Sequence, residues 1–256
     1  MTENNPKLSK FRAELHLHTV LSPCAAIEMI PPLIIQTAES RDINLIAISD
    51  HNAIANIAAV MQAARGSSVT VLPAIELQTR EEIHSLCIFD TLDQIEVFFN
   101  QILPFMPAIQ NNVDFFGEQF VVDQTGDFVR REERLLISSC ALSLKEAWQL
   151  VEENQGLLIP AHVNRSAFGL FPILGFIPQD IELEILEISR HITPAQALLD
   201  YPQLADYGLI QSGDAHFLDD ILGWNEFLIE QPTVNEIRKA LLGKSGRKYR
   251  NLSVNS

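Results

Sequence analysis

Leu45-Ile46-Ala47-Ile48-Ser49-Asp50-His51 decides the fold: a short apolar run that ends abruptly in an acid and an imidazole. A run of this length reads as a buried strand, the kind that helices cover. Its flanks agree. Residues 31–41 read as a helix opened by Pro31-Pro32, and residues 53–65 as another with Gly66 as its terminal cap. The alternation continues along the chain, with strands expected at 13–17, 69–75, 83–89, 157–159, 185–188 and 209–212. The turn between the strands at 69–75 and 83–89 is short. Between residues 143 and 154 lies a helix whose Ser143 and Glu146 form a capping box, with Gly156 closing its end. Thr233 with Glu236 opens a last helix that stops near Gly243, and the basic tail KSGRKYR is expected to fray. Strands separated by helical segments argue for parallel βα units in an α/β fold. With seven or so strands, a barrel is the economical closure and an open doubly wound sheet the alternative.

The 256 residues suit one barrel-sized domain, and 47% hydrophobic residues supply its core. The irregular stretch is about 90–142, which holds Phe98, Phe99, Phe105, Phe115, Phe116, Phe120 and Phe128, half of the 14 Phe. A connection this long is a functional insertion or subdomain. Its Phe are read as a small core of its own, with a lid or dimer surface as the sharper alternative. Net charge is −15, which disfavours sequence-independent binding to nucleic-acid phosphates. Cys24, Cys87 and Cys140 form no CxxC pair and no disulfide framework. The polar start MTENNPKLSKFRAEL has no apolar signal segment, and no apolar run approaches the roughly 18 residues a membrane span needs. A cytoplasmic protein is expected.

The chemistry lies where strands end. His16 and His18 are two apart in a strand and point to one side. Asp50-His51 follows the run at 45–49, Glu76 follows the next strand, and His84 begins another. His162 and Asp214-Ala215-His216 follow two later strands. Alone, each has a duller reading: a hydrogen-bonded histidine, a salt-bridged glutamate, an Asp capping a helix. Together they bring six of the 7 His, with Asp50, Glu76 and Asp214, to the strand ends that form the active face of parallel α/β folds. So many nitrogen and oxygen donors exceed the needs of one ion and suit two or three divalent ions of zinc, manganese or iron. His191, in SRHITP, reads as surface.

The order ELHLHT, SDHN, a strand ending in Glu76, IH, PAHVNR and SGDAH resembles the PHP (polymerase and histidinol phosphatase) family, in register from about residue 13 to residue 216. The resemblance implies a distorted seven-stranded TIM-like barrel, residues 1–256 forming one domain with the Phe-rich insertion at about 90–142. It implies a trinuclear metal centre: His16, His18, Glu76 and Asp214 on one ion; Glu76, His84 and His162 on a second; His51 and His216 on a third. Asp50 would orient an imidazole. Where relatives often place another His or Asp after HxH, this chain reads TVLSPCAA, so Cys24 is either a thiolate ligand of the third ion or a small buried hydrophobe.

The expected reaction is hydrolysis of a phosphomonoester, a small metabolite or nucleotide, by a metal-bridging hydroxide, with Arg165 gripping a phosphate oxygen. A surface salt bridge is the bland role for Arg165. Three alternatives stand beside this: a nuclease acting on nucleic-acid ends, an amidohydrolase-like deaminase, and a non-catalytic metal-stabilised binding module.

Overall fold

The computed structural model describes residues 7–253, so the first six residues of the polar start lie outside the described residues. The strands are β1 (Ser9–Leu17), β2 (Leu45–Ile48), β3 (Thr70–Gln78), β4 (His84–Ile88), β5 (Phe120–Val122), β6 (Phe128–Arg131), β7 (Leu157–Pro160), β8 (Ile185–Ile188), β9 (Gly208–Gln211), β10 (Asn225–Ile229) and β11 (Lys248–Asn251). The α-helices are α1 (Pro31–Ser40), α2 (Ile57–Ala63), α3 (Leu92–Ile102), α4 (Val113–Phe116), α5 (Leu144–Glu153), α6 (Leu170–Leu174), α7 (Pro194–Asp200) and α8 (Val234–Leu241).

Seven strands form one mixed sheet in the order β11-β10-β1-β2-β3-β4-β7, and β8 pairs in parallel with β9. The sheet curls. Just past β7, Val163 donates its N–H to the Glu187 carbonyl of β8 at 2.8 Å; just past β9, Ala215 bridges to Leu17 at the end of β1. The β8–β9 pair therefore reaches from β7 round to the far end of β1. Alternate strand residues divide between two apolar layers. Leu15, Leu45, Ala47, Leu72, Leu86 and Ile159 pack with Val234 and Ile237 of α8. Ile46, Ile48, Val71, Ile75 and Leu158 pack with Ile34 of α1, Val60 of α2 and Phe98 of α3. Both faces of β2 are thus dry, which is why its sequence has no polar interruption, and each fully buried Leu or Ile contributes about 2 kcal/mol.

Four expectations are corrected. The strands are not all parallel: β1 to β2 to β3 are, but β4 runs antiparallel to both β3 and β7. The short turn between β3 and β4 leaves no room for a crossover helix, so a hairpin is the only pairing it permits. The helix expected over 53–65 is confined to Ile57–Ala63. The capping box of α5 is present, but the left-handed residue past its end is Gln155 (φ 59), not Gly156; Gly156 is small because a Cβ there would strike the Phe89 ring. Finally, the basic tail is not frayed. Residues 248–251 pair with β10, and the guanidinium of Arg247 is bound by Glu236 at 2.8 and 3.0 Å and by Glu230 at 2.8 Å.

Nor do the seven Phe of residues 90–142 form one core. Phe98 is fully buried against Phe89 in the main layer, whereas Phe105, Phe115 and Phe128 are exposed. Val121 and Leu136 form a small separate cluster with Leu21 and Ala53, which ties this stretch to the loops after β1 and β2.

Candidate metal centre

Strand ends deliver every donor to one place. His16 lies at the end of β1, where the pairing with β2 slips between Glu14 and Leu17; such an irregularity re-aims side chains. His51 follows β2 and bridges to Glu76, which lies inside β3 rather than after it. His84 is the first residue of β4, yet it reaches the same mouth because β4 is antiparallel and His84 pairs with Gln78 at the end of β3. His162 follows β7, and Asp214 and His216 follow β9. His162 (φ 32) and Asp214 (φ 49) both adopt left-handed backbone, a conformation that costs energy for residues with a Cβ and clusters at functional sites.

Glu76 is the hub, and it is buried. Its Oε1 lies 2.8 Å from His84 Nδ1 and 3.2 Å from both His16 Nε2 and His162 Nε2. Its Oε2 lies 2.8 Å from His51 Nδ1 and 3.4 Å from His18 Nε2. Asp214 Oδ1 is 3.3 Å from His16 Nε2 and 3.4 Å from His18 Nε2. Burial pushes the Glu76 carboxyl up, but the facing imidazoles of His84, His16 and His51 more than reverse this and hold it well below the usual carboxylate range. Burial acts the same way on Asp214, and the charge on His16 and the polar contact with His18 at 3.4 Å overcome it. The imidazole of His84 is pushed down to about 4 by burial, which keeps it neutral. Burial pushes His16 and His51 down as well, but the facing carboxylates, Glu187 with Glu76 for His16 and Glu76 for His51, more than reverse this and hold both imidazoles well above their usual range, so binding of metal there would displace protons.

The donor set fits divalent ions. Among the described residues, three groups bring ligand atoms within 4.8 Å of one another: His16, His18, Glu76 and Asp214; His51, Glu76 and His84; and His18, His51 and His216. The buried atoms His16 Nε2, His18 Nε2, Glu76 Oε2 and Asp214 Oδ1 all lack an acceptable hydrogen-bond partner. Leaving such groups unpaired away from water costs about 1–3 kcal/mol each, so a convergent set of them is a cradle for something absent from the polypeptide.

Cys24 is exposed at the rim, within hydrogen-bond reach of His51 and His216. Desolvation pushes its thiol up, but the hydrogen bonds with His216 and His51 prevail and bring it down to about 6. It is therefore not a buried hydrophobe. Arg165 Nη1 binds Asp214 Oδ2 at 2.8 Å, so its salt bridge joins the donor cluster rather than the outer surface. His191 is exposed, as expected, though it lines a cavity beside the cluster.

Asp50 touches no imidazole. It accepts hydrogen bonds from Thr19 N and Ser22 Oγ at 2.7 Å, and Ser22 Oγ in turn contacts His18 Nδ1 at 3.0 Å and accepts the His51 N–H at 3.2 Å. Sequence reading missed Ser22. It also missed Glu187, whose Oε1 holds His16 Nδ1 at 3.0 Å and the His162 N–H at 3.1 Å. The third omission is Glu14, which accepts N–H groups of Gly213, Leu222 and Gly223 at 2.9–3.1 Å and so ties the loop carrying Asp214 to β1. A signal was present for one of them: Glu187 is the lone carboxylate inside the otherwise apolar strand β8.

No family model matches this sequence, and no curated protein does. Solved structures match its fold. The lesion-specific endonuclease PfuEndoQ from Pyrococcus furiosus superposes with TM-score 0.74 at 20% identity over 94% of this chain, which spans 58% of that protein's length. A protein described as a metal-dependent phosphoesterase from Bifidobacterium adolescentis gives 0.56 at 16% identity, covering 91% of this chain and 96% of the other. An amidohydrolase from Chromobacterium violaceum gives 0.51 at 16% identity, covering 78% and 85%. The fold is of the PHP type that the motif order implies. Three described chemistries on one architecture leave the site to decide function.

Proposed function

We propose that the chain is a metal-dependent phosphoesterase. The observation that supports this best is the Glu76 carboxylate, faced by five imidazoles, with Asp214 beside them and four buried donor atoms unpartnered. Strands β1 to β4 and β7 to β9 are read as a distorted seven-stranded barrel in one domain, with residues 90–142 as an insertion bordering the site. One ion would be held by His16, His18, Glu76 and Asp214. Glu76 would be shared with a second ion at His84 and His162, and His51, His216 and Cys24 would hold a third. When bound, divalent ions such as zinc, manganese or iron supply positive charge against the phosphoryl oxygens and acidify water at neutral pH.

The chain's own groups do the rest. Glu187 fixes the ring of His16, and Ser22, held by Asp50, fixes that of His18. Arg165 stands at the rim, where its planar fork would bind a non-bridging phosphate oxygen. The buried floor keeps bulk water away from the carboxylates, which strengthens every charge interaction there. Zinc, manganese and iron should be tested separately with p-nitrophenyl phosphate esters. Hydrolysis that is abolished by a chelator, and that falls about 100-fold or more in Asp214→Asn and His162→Ala, is expected. Ammonia release from amine or amide substrates without ester hydrolysis would instead favour a deaminase.

A further inference from the structure

The loop after β7 closes on a single residue of β4. Ala161 donates its N–H to the His84 carbonyl at 2.9 Å, and further along the same loop the Phe168 carbonyl accepts the His84 N–H at 3.1 Å. Between those two bonds the chain carries His162 and Arg165. The turn is tight. Arg165 donates its N–H to the His162 carbonyl at 2.8 Å, and Gly169 has no room for a side chain, since a Cβ there would lie 2.2 Å from the Arg165 carbonyl oxygen. Phe168 holds left-handed backbone (φ 61), and its ring lies flat on the His84 imidazole, with centroids 4.4 Å apart and an interplanar angle of 8°. That backbone is costly for a bulky side chain, and Asn or Gly would meet it more easily. What the position gains from Phe must therefore come from the ring.

His84 needs such a partner. A histidine that ligates a metal is ordinarily oriented by a hydrogen bond to the ring nitrogen turned away from the ion. His16 has Glu187, His18 has Ser22, and His216 has the Asp214 carbonyl at 2.8 Å. Among the described residues, the one hydrogen-bond contact of the His84 ring is Glu76 Oε1, which belongs to the donor cluster itself. The torsion that turns an imidazole about its Cβ–Cγ bond is broad, so a ring held at one point can swing. A parallel aromatic face in contact with it blocks that swing.

From this geometry we infer that Phe168 is a positioning residue of the metal centre: its ring fixes the plane of His84, and its carbonyl locks the loop carrying His162 and Arg165 onto the same residue. The inference rests on the metal-dependent reading above and extends it. Both histidines assigned with Glu76 to the second ion, and the arginine assigned to the phosphate, hang on one aromatic contact. Loss of the stack leaves the donors present but unaligned, and alignment is what a metal site needs from its surroundings. His16 and His18 are oriented from β8 and from the loop after β1, so the ion they share does not depend on Phe168.

The test is titration of metal-free protein with zinc against a chromophoric chelator, with melting of the apoprotein alongside to show that each variant is folded. Phe168→Leu keeps apolar bulk and loses the planar face, whereas Phe168→Tyr keeps the face. Phe168→Asn loses the ring but suits the left-handed backbone, so it serves where Leu does not fold. The affinity of one ion is expected to fall about tenfold or more in the Leu and Asn variants, with the other ions unchanged and the Tyr variant within about twofold of wild type. His84→Ala should weaken the same ion, and adding Phe168→Leu to it should cost nothing further, because the ring acts through His84. Wild-type affinity in the Leu or Asn variant, an equal fall at every ion, a Tyr variant as weak as Leu, or a loss that adds in full to that of His84→Ala would each overturn the role of Phe168 while leaving the centre standing. Wild-type protein that binds no ion would sink the underlying reading itself.

Discussion

Glu187 Oε1 lies 3.0 Å from His16 Nδ1, on the side of the ring away from the donor cluster, and the same oxygen accepts the N–H of His162. One buried carboxylate thus sets the ring of a candidate ligand on β1 and the backbone of another after β7. Glu187→Gln keeps the shape but removes the charge that makes the imidazole a stronger donor. Metal affinity is expected to fall about 10- to 100-fold with the fold retained. Titration of metal-free protein with zinc, read by competition against a chromophoric chelator, checks this; wild-type affinity would show that Glu187 only packs.

Cys24 is expected to act as a ligand rather than a bystander. Cobalt-loaded protein should show a thiolate-to-cobalt charge-transfer band in the near ultraviolet, and Cys24→Ser should remove it and lower the metal content by about one ion per chain. An unchanged spectrum would leave Cys24 outside the centre.

Arg165→Lys replaces a planar fork with a point charge. The expected outcome is a loss in kcat/KM of about tenfold or more with the metals retained. Unchanged kinetics would reduce Arg165 to its salt bridge with Asp214.

The C-terminal strand gives a test away from the centre. Burial opposes ionisation of Glu236, but hydrogen bonds from Arg247, the Glu230 N–H and Lys239 bring its carboxyl down to about 2. A carboxyl lowered on folding stabilises above its unfolded pKa of about 4.5, and that contribution is lost as pH falls towards 2. Glu236→Gln should therefore cost about 2 kcal/mol at pH 7, and the gap to wild type should narrow steadily below pH 4.5. Denaturant melts at pH 7, 4 and 3 measure it; a gap that does not change with pH would contradict the assignment.

Much of this was legible in the sequence because period and chemistry coincide. Residues 45–51 read correctly as a buried strand with its donors at the end, since both faces of β2 are dry and its last residues meet the mouth. What was not legible depended on pairing. His84 begins its strand, and only the antiparallel direction of β4, a long-range property, brings it to the ends of its neighbours. Glu187 was visible as a charge in an apolar strand, but its partner is 171 residues away. The tail looked frayed because KSGRKYR is polar and basic; its order comes from Glu230 and Glu236, which no local signal announces. The Phe of residues 90–142 were read as a unit because they are close in sequence, while the fold sends Phe98 inward and Phe128 outward.

The most direct measurement of the central claim is the metal content of tag-free protein, determined by elemental analysis after separate addition of manganese, iron and zinc and removal of the excess. Two or three ions per chain are predicted, falling in Asp214→Asn and His162→Ala. One ion, or none with any metal, would contradict a multinuclear centre built on Glu76.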